Sequence, residues 1–138
     1  MALAWSEEYS TGEPEIDKQH KQLFQYLADL EEHMKSGADD AYVKRFLDML
    51  GLYTRSHFCY EEICMRQKKC PVAGKNKQQH EKLLEAYKHY RLRFETEGVS
   101  SDLLQKLHEF LRSWLINHIL KIDTELRECT TTVRSGVL

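Results

Sequence analysis

Apolar side chains recur at intervals of three and four along most of this 138-residue chain, in four long runs. The first, from about Asp17 to Ser36, sets His20, Leu23, Phe24, Leu27, Leu30 and Met34 on one helical face. The second, from about Asp40 to Lys68, aligns Val43, Phe46, Leu47, Leu50, Thr54, His57, Glu61 and Met65. The third, from about Lys75 to Glu97, aligns Asn76, His80, Leu83, Leu84, Tyr87 and Phe94. The fourth, from about Asp102 to Glu128, aligns Leu104, Leu107, Leu111, Trp114, Leu115, His118, Ile119 and Ile122. Recurrence at i, i+3, i+4 and i+7 is that of an α-helix with one buried face. Asp17, Asp39 or Asp40, and Ser101 or Asp102 carry short acceptor side chains suited to helix starts. Short connections between long helices set consecutive ones antiparallel. The pattern therefore predicts an all-α, up-down-up-down four-helix bundle. Residues 1–16 read as an irregular N-terminal arm with Trp5 packed on the bundle. Residues 130–138 have no periodicity and read as a tail or linker, which leaves one domain over 1–129.

Composition narrows the class. Two prolines and six glycines are few breakers for this length, as long helices require. Lys plus Arg number 20 against 22 for Asp plus Glu, a net charge of −2, which gives no footprint for nucleic acid or an anionic membrane. No apolar run approaches the roughly 20 residues of a transmembrane helix. The opening MALAWSEEYS lacks the basic and apolar regions of a secretory signal. The expectation is a cytoplasmic, single-domain protein. Cys59, Cys64, Cys70 and Cys129 include no C-x-x-C pair, and in that setting reduced, partly buried thiols are expected.

The anomaly lies in the polar residues on the apolar stripes. His20, His57, His80 and His118 each fall on the buried face of a different helix, and Glu61 lies one turn after His57. A single buried histidine reads most simply as a hydrogen-bonded core residue, whereas a lone carboxylate among leucines is costly unless paired or bound to a cation. With a rise of about 1.5 Å per residue, His20 lies roughly 5 Å into its helix and His80 roughly 8 Å into its own. His57 and Glu61 lie roughly 10–17 Å before the end of the second helix, and His118 and Asp123 roughly 7–15 Å before the end of the fourth. In an antiparallel bundle these are the same end, so the six groups share one layer. Imidazole nitrogens with carboxylate oxygens suit iron, manganese or zinc, and two bridging carboxylates suit a pair of ions. His33, His89 and His108 fit no shared layer and read as surface residues. A ferritin-like site needs Glu-x-x-His pairs, and no histidine here has a glutamate three residues before it.

Trp5, Gly12, I-D-K-Q-H (Ile16–His20), H-F-C-Y-E-E (His57–Glu62), Met65, Pro71, His80 and W-L-I-N-H-I-L-K-I-D (Trp114–Asp123) together resemble the hemerythrin family, its bacterial members in particular. The resemblance covers most of the chain. It implies two non-haem iron ions in a four-helix bundle, one held by His20 and His57 and the other by His80 and His118. Glu61 and Asp123 bridge them beside an oxo or hydroxo group. It also implies O2, or another small diatomic or peroxide ligand, as the partner. Leu115 and Ile119 match positions lining the O2 pocket, with Trp114 and Met65 counted beside them. Such domains also occur as input halves of bacterial signalling proteins, where an output domain follows.

One position departs from the family pattern. The third helix of the family carries H-x-x-x-H; its second histidine matches His80, and four residues earlier stands Asn76. An amide oxygen is at best a weak, neutral ligand. Four consequences stay open: an exchangeable position on both irons, weak or absent binding of the second iron, rapid autoxidation, or an Asn76 that only hydrogen-bonds a ligating water. The leading expectation is a di-iron domain that binds O2 or senses O2 or redox state. A peroxidase- or oxidase-like enzyme and a metal-poor structural bundle are the alternatives.

Overall fold

The computed structural model describes residues 4–37 and 39–129, so the expected tail at 130–138 lies outside the described residues. Four helices carry the chain: α1 (Pro14–Ser36), α2 (Asp40–Gln67), α3 (Ala73–Glu97) and α4 (Ser101–Lys121). α1 packs against α2 and α4, and α3 packs against the same two. This is the antiparallel four-helix bundle that the periodicity predicts.

Helix ends are set by local chemistry. Asp39 caps α2 by accepting from Tyr42 N at 2.7 Å. α4 is capped by Ser100, accepting from Leu103 N at 3.1 Å, rather than by Ser101 or Asp102. α1 begins at Pro14 rather than Asp17, since proline's fixed φ suits the first turn and its missing N–H has no partner there anyway. Asp17 instead accepts from Ser10 Oγ, Thr11 N and Thr11 Oγ1, each at 2.8 Å, and so ties the arm to α1. In the arm, Tyr9 sits edge-on to Phe24 at 5.1 Å and half-buried Trp5 packs on the main core beneath Lys21. Gly37 ends α1 at φ 83°, a left-handed conformation that glycine adopts without strain. Gly51, inside α2, lets the Tyr87 ring of α3 come close: a Cβ there would lie 3.3 Å from it.

The fourth helix is shorter than its apolar stripe suggests. It stops at Lys121, and a 3-10 turn, Asp123–Glu125, interrupts the run expected to reach Glu128 before 126–129 become helical again.

Two apolar clusters fill the interior. The larger runs from Leu23 and Leu27 of α1, through Leu47 and Phe58 of α2 and Leu83 of α3, to Leu115 and Ile119 of α4. The smaller closes one end and contains Ile16, Met65, Cys70, Ile122, Leu126 and Cys129. Along every helix the polar candidates fall between members of these clusters, so the polar layer is enclosed from both sides. Cys70 and Cys129 form a disulfide with Cα atoms 5.4 Å apart, which corrects the expectation of reduced thiols for this pair. Their separation of 59 residues carries no pairing signal; the antiparallel topology brings the α2–α3 turn and the segment after α4 together. Cys59 is exposed and Cys64 partly buried, both as thiols. Among the described residues no helix is long and apolar enough to cross a membrane.

Candidate metal centre

Each candidate ligand arrives from its own turn of the bundle. α1 supplies His20; α2 supplies His57 and, one turn on, Glu61; α3 supplies Asn76 and, one turn on, His80; α4 supplies His118. Asp123 needs the break after α4. Five residues past His118 on an unbroken α-helix, it would point about 140° away. The 3-10 turn returns its carboxylate to within 3.1 Å of His118 Nε2. None of these seven residues is more than 4% exposed.

The carboxylate oxygens divide between two sets of nitrogens. Glu61 Oε2 lies 3.1 Å from His20 Nε2 and 3.4 Å from His57 Nε2, and Asp123 Oδ2 lies 3.2 Å from His20 Nε2. The other oxygens face the second set: Glu61 Oε1 is 3.1 Å from His80 Nε2 and Asp123 Oδ1 is 3.1 Å from His118 Nε2. Asn76 Oδ1 joins them, 2.8 Å from His118 Nε2. Donors bound about 2.1 Å from one ion, at right angles to each other, lie roughly 3 Å apart, which is the spacing of both sets.

The remaining ring nitrogens fix which atoms can bind an ion. His57 Nδ1 donates to Gln19 Oε1 and His118 Nδ1 to Gln79 Oε1, both at 2.7 Å, and His80 Nδ1 donates to Glu62 Oε2 at 2.9 Å. Protons held on Nδ1 leave the Nε2 lone pairs aimed at the centre. There they meet carboxylate oxygens, two of which, Glu61 Oε1 and Asp123 Oδ1, lack a hydrogen-bond partner among the described residues. Buried acceptors facing acceptors call for cations, and the donor set fits a pair of metal ions. Protons take that place when metal is absent. Burial lowers the His20 pKa, but hydrogen bonds and attraction from Asp123 and Glu61 outweigh it and push the group up to about 10. The same contest raises His118 to about 9. His57 is lowered, because burial prevails over attraction from Glu61. Burial would raise Glu61, yet His57, His118 and His20 hold it well below the usual carboxylate range. Rings complete the packing: Phe58 stacks on His80 at 3.6 Å and Trp114 on His118 at 4.4 Å.

Residues 11–128 match the hemerythrin HHE cation binding domain. The chain belongs to the hemerythrin family. It is 32% identical over 118 residues to the bacteriohemerythrin of Stenotrophomonas maltophilia, covering 85% of this chain and 74% of that protein. It is 30% identical to the bacteriohemerythrin of Methylococcus capsulatus, covering 94% and 98%. The myohemerythrin of Sipunculus nudus is 29% identical, covering 86% of each chain. The fold is similar to a crystal structure of wild-type hemerythrin, with a TM-score of 0.80 at 28% identity, over 94% of this chain and 98% of that one. Family membership places the chain among cation-binding domains.

Within this hemerythrin fold, the residues expected around a bound gas separate. Leu115 and half-buried Trp114 line an apolar cavity of about 40 Å³ with Leu23, Thr54, Phe58 and Leu111. Ile119 is fully buried in the same main cluster. Met65 lies in the end cluster, across the ligand layer, and shares no part of that cavity. His33 and His89 are exposed as expected, while His108 is half-buried, 4.0 Å from Glu31. Gln19, Gln79 and Glu62 were not legible as parts of the site. Their signal was adjacency, since each is next in sequence to a candidate ligand.

Proposed function

We propose that this hemerythrin-family chain holds two iron ions, one at His20 and His57 and the other at His80, His118 and Asn76, bridged by Glu61 and Asp123. There it binds O2 or a related small ligand reversibly. The observation that supports this most is the division of each carboxylate's oxygens between two sets of histidine nitrogens. A bound iron pair supplies an open coordination position and two electrons for O2. The chain's own residues do the rest. Gln19, Gln79 and Glu62 hold the imidazoles in register. Phe58, Leu115 and Ile119 surround the layer with apolar atoms that exclude water. Asn76 leaves one ion with a weaker ligand set than a third histidine would give, which favours sensing of O2 or redox state over storage. A coupled output domain is the extension of that reading.

Reconstitution with iron(II) followed by air tests the proposal. We expect two irons per chain and an oxo-bridged visible band, both lost in Glu61→Ala. A colourless, iron-free product would overturn it.

A further inference from the structure

The face of α2 turned away from the core is apolar as well. On it Leu52 is 70% exposed, Tyr60 46%, Met49 44% and Ile63 38%. Single exposed apolar side chains are ordinary, but these four share one stripe, with half-buried Tyr53 and exposed Cys59 between them. The stripe runs along roughly 21 Å of helix, and contiguous exposed apolar patches of a few hundred Å² mark interaction sites.

The stripe is symmetric end to end about exposed Ser56. Tyr53 and Cys59 lie three residues to either side of it, Leu52 and Tyr60 four, and Met49 and Ile63 seven. Such intervals make a helix–helix seam, and this one reads alike in both directions. A two-fold interface needs a patch that complements itself when reversed. Laid antiparallel on a second copy, Leu52 meets Tyr60 of that copy, Met49 meets Ile63 and Tyr53 meets Cys59. The two Ser56 side chains meet at the axis, where their small size lets the helices approach. The flank toward α3 is electrically balanced, with Asp48 and Glu62 against Arg55 and Arg66. Glu62 is turned in to His80 and Asp48 uses Oδ1 on Arg91; reversal sets Asp48 about 3 Å along the axis from Arg66 of the second copy. We propose that the outward face of α2 is the seam of a two-fold homodimer, α2 against α2 antiparallel about Ser56. A permanent dimer buries roughly 800 Å² per partner. Four apolar side chains and a charged rim supply less, so the pair is reversible, with a Kd on the order of 10 μM. His57 and Glu61 project from the opposite face of the same helix, so pairing sets the two candidate metal centres back to back.

Sedimentation equilibrium of the full chain from roughly 1 to 500 μM tests this. The average mass is expected to rise from 16.4 kDa toward twice that value. Leu52→Glu places a charge in the seam twice per dimer and is expected to weaken association roughly a hundredfold or more, with unchanged helix content. Leu92→Glu, at a 55% exposed leucine of α3 outside the stripe, is expected to leave association unchanged. Register is read by cross-linking: in a Cys59→Ser background, Ser56→Cys is expected to join two copies through a short bismaleimide, and the Cys59→Ser parent is not. A monomer over the whole range, as expected if the face serves a different protein, would overturn the proposal. So would a mass beyond two copies, a dimer that survives Leu52→Glu, or one that fails to cross-link through residue 56.

Discussion

Gln19, Gln79 and Glu62 each reach across to a histidine on the next helix: α1 to α2 through Gln19 and His57, α2 to α3 through Glu62 and His80, α3 to α4 through Gln79 and His118. These bonds run around the bundle in one sense, and His20 Nδ1 is unpartnered among the described residues. Each bond fixes a ring's tautomer and its angle to the ion, so its loss acts on metal affinity before it acts on the fold. Gln79→Leu is expected to weaken metal binding by roughly tenfold to a hundredfold with little change in helix content, measured by competition with a coloured chelator and circular dichroism. Equal affinity in variant and wild type would remove Gln79 from the site. The candidate ligands were legible in the sequence, because histidines and carboxylates on apolar stripes are expensive without partners. Their supports were not, because a half-buried glutamine reads like any solvated polar residue.

The elements were legible wherever apolar residues recur, and least so where a helix ends. The α4 stripe continues past Lys121 through Ile122 and Leu126, so periodicity alone extends the helix, while the chain turns in order to aim Asp123 inward. Nothing local announces that turn. What fixes the segment is the end cluster, where Ile122, Leu126 and Cys129 pack against Ile16 and Met65 and the disulfide ties Cys129 to Cys70. Closing a loop of 59 residues constrains the unfolded chain by roughly 4 kcal/mol. Cys70→Ser is therefore expected to lower the Tm by roughly 10 °C and to speed metal loss, because Asp123 sits between Ile122 and Leu126 of the loosened cluster. Calorimetry and chelator-driven release kinetics, with and without reductant, measure both effects. A variant with the wild-type Tm and release rate would show the disulfide to be dispensable.

At the scale of the whole molecule, the centre ties stability to pH through the protons that stand in for metal. His20 and His118 in the metal-free fold are raised from about 6.5 to about 10 and about 9 by Asp123 and Glu61, against the opposing effect of burial. Their pairing contributes stability that is fully present below the unfolded value and is lost as the pH rises through 9 and 10. Glu61 acts at the acid end: its depressed pKa gives stability present in full above the ordinary carboxylate value and lost as the pH falls through the lower one. Metal-free protein should thus lose Tm on both sides of a weakly acidic plateau, between the ordinary carboxylate and imidazole values. Metal bound at the same nitrogens would replace the protons, so the loaded protein should keep its Tm from pH 7 to 10, where the metal-free protein weakens. The exchange is also countable: because His57 is lowered and binds as the neutral ring, uptake of the ion pair near pH 7 should release about two protons, from His20 and His118. Titration in a weakly buffered solution measures that number directly. Uptake without proton release, together with matching alkaline melting curves for the two forms, would mean that these histidines carry no proton in the metal-free fold and that its buried carboxylates are neutralised in some other way.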